Sequence, residues 1–80
     1  ETFKSTIEIY GEDRQNLIVD VGMAVSNMRL SIHSLNAREL KDNHVDIQLT
    51  VSVADLDQLN YLLTNLRKLP GVLRVQRTGL

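Results

Sequence analysis

From His44 to Val53 the chain alternates without a break. Val45, Ile47, Leu49, Val51 and Val53 are apolar, and Asp46, Gln48, Thr50 and Ser52 stand between them. Successive side chains of a β-strand point to opposite faces, so this segment reads as a strand with one face on a core and one away from it. Alternation this clean belongs in the middle of a sheet that is covered on one side only.

The flanking segments supply the rest of that sheet. In "TFKSTIEIY", Phe3, Ile7 and Ile9 share a face with Ser5, while Lys4, Thr6 and Glu8 point the other way, as in a half-buried strand. "RLSIHSLNAREL" is less regular: Leu30 and Ile32 fall on one face, Leu35 and Ala37 on the other. Mixed patterning suits an edge strand. Lys41, Asp42 and Asn43 form a polar hairpin turn before the central strand. "VLRVQR" is the last strand.

Two helices separate these strands. Leu17, Val21, Ala24 and Met28 lie at offsets of four, seven and eleven, an apolar stripe that Ile18 and Val25 widen. Asp13 is placed to cap this helix by accepting from first-turn amides. Asp55 with Gln58 three positions on is a capping box in its Asp variant. Leu56, Leu59, Leu62, Leu63, Leu66 and Leu69 follow as an apolar face, and Pro70-Gly71 ends the helix. The order is β-α-β-β-α-β. Two right-handed crossovers put both helices on one face of a four-stranded antiparallel sheet, a ferredoxin-like α+β fold. The other face, with Lys4, Thr6, Glu8, Asp46, Gln48, Thr50 and Ser52, is expected to be solvated.

Eighty residues make one small domain with a thin stability margin, and dimerisation is a common way to add core. The chain opens at Glu1 rather than Met, so residues 1–80 are expected to be a single-domain piece of a longer protein. A net charge of -1 gives no bulk pull toward nucleic acid or anionic membrane. No apolar run approaches the roughly 18 residues that span a bilayer. The absence of cysteine excludes thiol catalysis and thiolate metal sites, and it fits a cytoplasmic setting.

The chemistry-bearing residues are sparse. His33 and His44 flank a hairpin turn without a thiol or a spaced acid, which is no metal set. Ser31, His33 and Ser34 are neighbours, but strand alternation places Ser34 and His33 on opposite faces. No catalytic residue, metal or cofactor is expected. The loop "GEDRQN" meets a helix start, where amides can hold an anion, yet its one glycine and two carboxylates suit a phosphate poorly. An acylphosphatase-type enzyme would need an Arg and a positioned Asn there; Arg14 and Asn16 imitate that only faintly. Phe3, Tyr10 and Tyr61 are the whole aromatic complement, too few for base stacking across a sheet. Arg67, Lys68, Arg74 and Arg77 gather toward the C-terminal end as a candidate docking patch for a phosphate backbone.

A small amino-acid ligand fits the loop better. It needs amides for its carboxylate, which the first turn near Arg14 to Leu17 offers. Asp13 is available for its amine, and Leu17 or Ile18 for an apolar wall. A capped helix start without any ligand explains the same residues.

Read together, "GEDRQNLIVDV", "LSIHSLNAREL" and "LDQLNYLLTNLRKLPGVLRVQR" resemble an ACT domain. The closer resemblance is to the C-terminal ACT domain of bifunctional Rel/SpoT-type GTP pyrophosphokinases, which make and degrade (p)ppGpp in bacteria. That resemblance implies a non-catalytic regulatory domain of the stringent response, acting on synthetase and hydrolase domains of a parent chain. It implies a ligand loop at Gly11, Glu12, Asp13, Arg14, Gln15, Asn16 and Leu17, with a branched-chain amino acid as candidate ligand. It also implies a homodimer through the second strand at Leu30, Ile32, Ser34 and Asn36. Docking to a protein or to the ribosome, without a small ligand, is the alternative. Gln15 and Asn16 stand where such loops commonly carry Pro and Gly. Asparagine tolerates left-handed backbone angles but adds a side chain.

Overall fold

The structure, a computed structural model, describes residues 1–78. Strand β1 covers Phe3–Glu12, helix α1 Leu17–Asn27, strand β2 Ile32–Leu40, strand β3 His44–Val53, helix α2 Leu56–Arg67 and strand β4 Val72–Thr78. A single turn of 3-10 helix, Lys41–Asn43, joins β2 to β3. The strands lie in the order β2-β3-β1-β4, every neighbouring pair antiparallel. The alternating segment is central, as its pattern requires, and the two crossovers leave β2 and β4 as the edges.

Burial follows the alternation. Ile7 and Ile9 of β1, Val45 to Val53 at every second position of β3, and Val75 of β4 pack under Leu17, Val21 and Val25 of α1 and Leu59, Leu62, Leu63 and Leu66 of α2. Three apolar residues expected in this layer lie outside it. Ile18, Leu56 and Phe3 are exposed, because each sits at the margin of its element where no second layer covers it. Ser5 shares the core face, and its hydroxyl is buried without a partner.

The irregular pattern of β2 has a specific cause. Ile32 pairs with Val51 and Ser34 with Thr50, so His33 is an extra residue, a β-bulge. The bulge shifts the alternation by one. Ile32, Leu35 and Ala37 therefore all lie opposite helix-facing residues of β3, whereas strict alternation would have split them between two faces. Leu30 precedes the strand. It belongs to the end of α1, where the Arg29 amide donates to Ser26 O (2.8 Å) and the Leu30 amide to Val25 O (3.3 Å), a Schellman closure. Arg29 takes the left-handed position, φ 59°, that glycine usually holds.

The two helices begin differently. At α2 the Asp55 carboxylate accepts from the Gln58 amide (2.8 Å) and the Gln58 side chain accepts from the Ala54 amide (2.7 Å), a reciprocal cap. At α1 the residue before the helix is Asn16, in the left-handed region at φ 70°, and no side chain caps it. Asp13 lies too far upstream to cap: its amide donates instead to Asn43 O at 2.8 Å. Among the described residues no helix is long and apolar enough to cross a membrane.

Candidate functional site

The loop after β1 is shorter than its sequence suggests, because Gly11 and Glu12 still belong to the strand. Gly11 pairs with Val45 on one side and Val72 on the other. A side chain there would place its first carbon 2.6 Å from Gly71 O, so only glycine fits. The Glu12 amide donates to that same oxygen (2.8 Å). The loop proper, Asp13 to Asn16, is thus pinned at its base to the turn between α2 and β4, and through Asp13 to the turn before β3.

Arg14 completes the fastening. Its Nε donates to Pro70 O, Nη1 to Gln15 O (3.0 Å), and Nη2 to Asp20 Oδ2 (2.8 Å). Gly71, at φ 87°, lies directly beneath this side chain, where a Cβ would meet Nε at 3.2 Å. The planar fork of arginine binds a main-chain turn, its own loop and the first turn of α1 together, which no lysine can imitate. Arg14 is therefore a clasp within the domain, with three of its five N–H donors engaged.

The remaining candidate loop residues are arranged for contact. Glu12, Asp13 and Arg14 line a polar pocket of about 450 Å³ with Asp42, Asn43 and His44. Three carboxylates against one engaged guanidinium favour a cationic group there. Gln15 and Asn16 are exposed at the tip, and Leu17 is buried in the core, where it serves packing. The first intrahelical bond of α1 runs from the Asp20 amide to Asn16 O (2.9 Å), so the amides of Ile18 and Val19 precede it at the positive end of the helix.

The helix-free sheet face is more than a solvated surface. Asp46 is only 7% exposed, near Arg38 Nη2 (3.7 Å) and the Gln48 amide (3.5 Å). Gln48 and Gln76 both donate to Glu8, and Thr6 and Thr50 share a bond (3.0 Å). Tyr10 stacks on His44 with centroids 5.2 Å apart and planes 5° from parallel, and the Arg74 guanidinium lies 5.0 Å over the tyrosine ring. This layered stack escapes a sequence reading because it needs the register that sets β3 and β4 beside β1. The parity of Tyr10 with Glu8 was its one advance signal.

The basic residues near the C-terminal end do not form one patch. Arg74 pairs with Tyr10 and Arg77 with Ile7, so they alternate across β4 onto opposite faces. Arg67 donates to Val75 O (3.3 Å), and Lys68 is exposed at the end of α2. The edge residues divide similarly. Ser34 and Asn36 face the polar side, opposite Thr50 and Gln48, while Ile32 is on the helix side and 42% exposed. His33 Nε2 and Ser52 Oγ are 2.6 Å apart, a contact made at the bulge of β2.

A four-stranded sheet with two helices on one face and a clasped loop at one end defines a ferredoxin-like domain. The chain belongs to the ACT domain family: a sequence model of the ACT domain matches residues 1–77. It is similar to the ACT domain of a GTP pyrophosphokinase of Chlorobium tepidum. Against the crystal structure of that domain the identity is 28% over 96% of this chain and 99% of that one, with a TM-score of 0.84. Against its solution structure the identity is 29%, covering 99% and 90%, with a TM-score of 0.82. A homoserine dehydrogenase from Thiobacillus denitrificans shares the fold over 96% of this chain and 17% of its own length, at 18% identity and a TM-score of 0.78. The chain is thus a regulatory ACT domain related to that of a GTP pyrophosphokinase.

Proposed function

We propose that this domain senses a small amino acid, pairs with a second copy through β2, and passes the liganded state to catalytic domains of a GTP pyrophosphokinase and (p)ppGpp hydrolase. The likeness to the Chlorobium domain supports the choice of parent. The observation that carries the sensing role is the pairing, at one loop, of a carboxylate-rich pocket with the open amides of α1. The carboxylates of Glu12, Asp13 and Asp42 suit an ammonium, and the amides of Ile18 and Val19 suit a carboxylate. Exposed Ile18 offers an apolar wall for a branched side chain.

Pairing through β2 rests on its outer edge, which among the described residues has no strand beside it, and on the half-open Ile32. A ligand held between one copy's loop and its partner's edge favours the paired arrangement, and it moves the parent only by its difference in affinity between states.

Titrating leucine, isoleucine and valine into ¹⁵N-labelled protein, with sedimentation at each point, tests the reading. Saturable shifts at Gly11 to Val19 with a rise in dimer are expected. Unmoved amides there would remove the small-ligand role, and a monomer at all concentrations would remove the pairing.

A second reading is favoured by one observation, the Arg74, Tyr10 and His44 stack on the open face. It suits docking to a phosphate backbone such as that of the ribosome. Because Arg77 lies on the other face, Arg74→Glu should weaken such docking and Arg77→Glu should not. Equal effects of the two would exclude the sheet face.

A further inference from the structure

At the other end of the sheet, the turn between α1 and β2 borders a pocket of about 270 Å³. Thr2, Arg29, Ser31, His33, Ser52 and Gln58 supply its polar lining, and among the described residues no carboxylate does. It shares no residue with the polar pocket beside the loop after β1.

Two backbone irregularities put its donors in place. His33 sits at the bulge in β2, where Nε2 lies 2.6 Å from the Ser52 hydroxyl and Nδ1 is the ring's other polar atom. A bulge commonly serves to re-aim a side chain in this way. Arg29 occupies the left-handed closing position of α1 at φ 59°, where glycine is the least costly residue. A long cation is kept at a site that the backbone would give to glycine. Lys4 lies directly opposite Ser52 in the β1 and β3 register and adds positive charge nearby.

We propose that this pocket binds the phosphoryl group of a small phosphate monoester. The Arg29 guanidinium, the hydroxyls of Thr2 and Ser31, and the one donor that the bonded His33–Ser52 pair leaves outward exceed what the two oxygens of a carboxylate can use. The three terminal oxygens of a phosphate monoester match them, and the guanidinium fork suits it in particular. The site stands independently of the amino-acid reading, since it uses neither the loop nor the helix start.

The test is a titration of O-phosphoserine, inorganic phosphate and acetate, each separately, into ¹⁵N-labelled protein. Phosphoserine and phosphate should give saturable shifts at Arg29 to Ser34 and at Ser52, with acetate at least about ten-fold weaker. Arg29→Gly is the informative variant. It relieves the left-handed backbone, so the protein should unfold at the same or higher denaturant concentration while phosphate affinity falls about ten-fold, the scale of one charge-assisted hydrogen bond. His33→Gln should weaken binding as well. Shifts that never saturate, acetate binding as tight as phosphate, undiminished affinity in Arg29→Gly, or shifts confined to Gly11 to Leu17 would each overturn the proposal.

Discussion

The two halves of the chain, β1 with α1 and β3 with α2, repeat the same topology but begin their helices by different means. In the second half the start is local: Asp55 and Gln58 satisfy the first amides from within four residues of chain. In the first half no side chain caps α1. Its start is held from outside, by Asn43 O on the Asp13 amide, Gly71 O on the Glu12 amide and the Arg14 clasp on Pro70. A helix start built by tertiary contacts leaves its own amides open, which is what a ligand loop needs. At α2 the cap takes the Gln58 amide, and the amides of Leu56 and Asp57 precede the first intrahelical bond, from the Leu59 amide to Asp55 O. The same strand-to-helix step is thus closed by its own side chains in one half and by distant turns in the other.

The sharpest way to break that contrast is Gly11→Ala. The new methyl would meet Gly71 O, forcing β1 and the α2–β4 turn apart. A loss of about 2–3 kcal/mol in urea unfolding is expected, with the loop amides shifting most. Arg14→Lys comes next. A point charge cannot hold a turn carbonyl and Asp20 at once, so unfolding should occur about 1–2 kcal/mol earlier despite the retained charge. Full stability in that variant would mean that the clasp contributes nothing.

The two helix starts can then be compared directly. Asp55→Ala should cost about 1 kcal/mol through the lost cap. Asn16→Ala should cost a similar amount for a different reason, the left-handed backbone at φ 70°, about 1 kcal/mol. The distinguishing variants are Asp55→Gly, expected to recover most of the loss because glycine tolerates a cap position, and Asn16→Gly, expected to match or exceed the parent protein. The smallest effect belongs to Gly22→Ala in mid-α1. A Cβ there meets nothing within 4 Å, and a gain of about 0.5–1 kcal/mol is expected by thermal unfolding. A loss instead would show that α1 packs against something in solution.

Much of the molecule was legible in advance. The unbroken alternation of His44 to Val53 placed β3 in the sheet's centre, and the leucine spacing with its Asp55 cap defined α2, because both signals are complete within a single element. The loop was legible as a candidate site from its residue types. Its geometry was not: Asp13 reads as a cap from sequence, and only the neighbouring turn at Asn43 shows where its amide goes. Arg14 reads as a ligand residue from sequence, and only the fold shows that Pro70 and Asp20 also hold it. Likewise Ile32, Leu35 and Ala37 read as a two-faced strand, since a bulge is invisible until a partner strand counts the residues against it.

By itself the sequence determined the element order and the faces that β1 and β3 bury. Those follow from side-chain periodicity and local backbone preference, which act over a few residues. Tertiary structure alone decided which loop groups remain free, how His33 meets Ser52, and that Arg74 and Arg77 part company. Each of those depends on register, and register is set only when distant strands bury their apolar faces together.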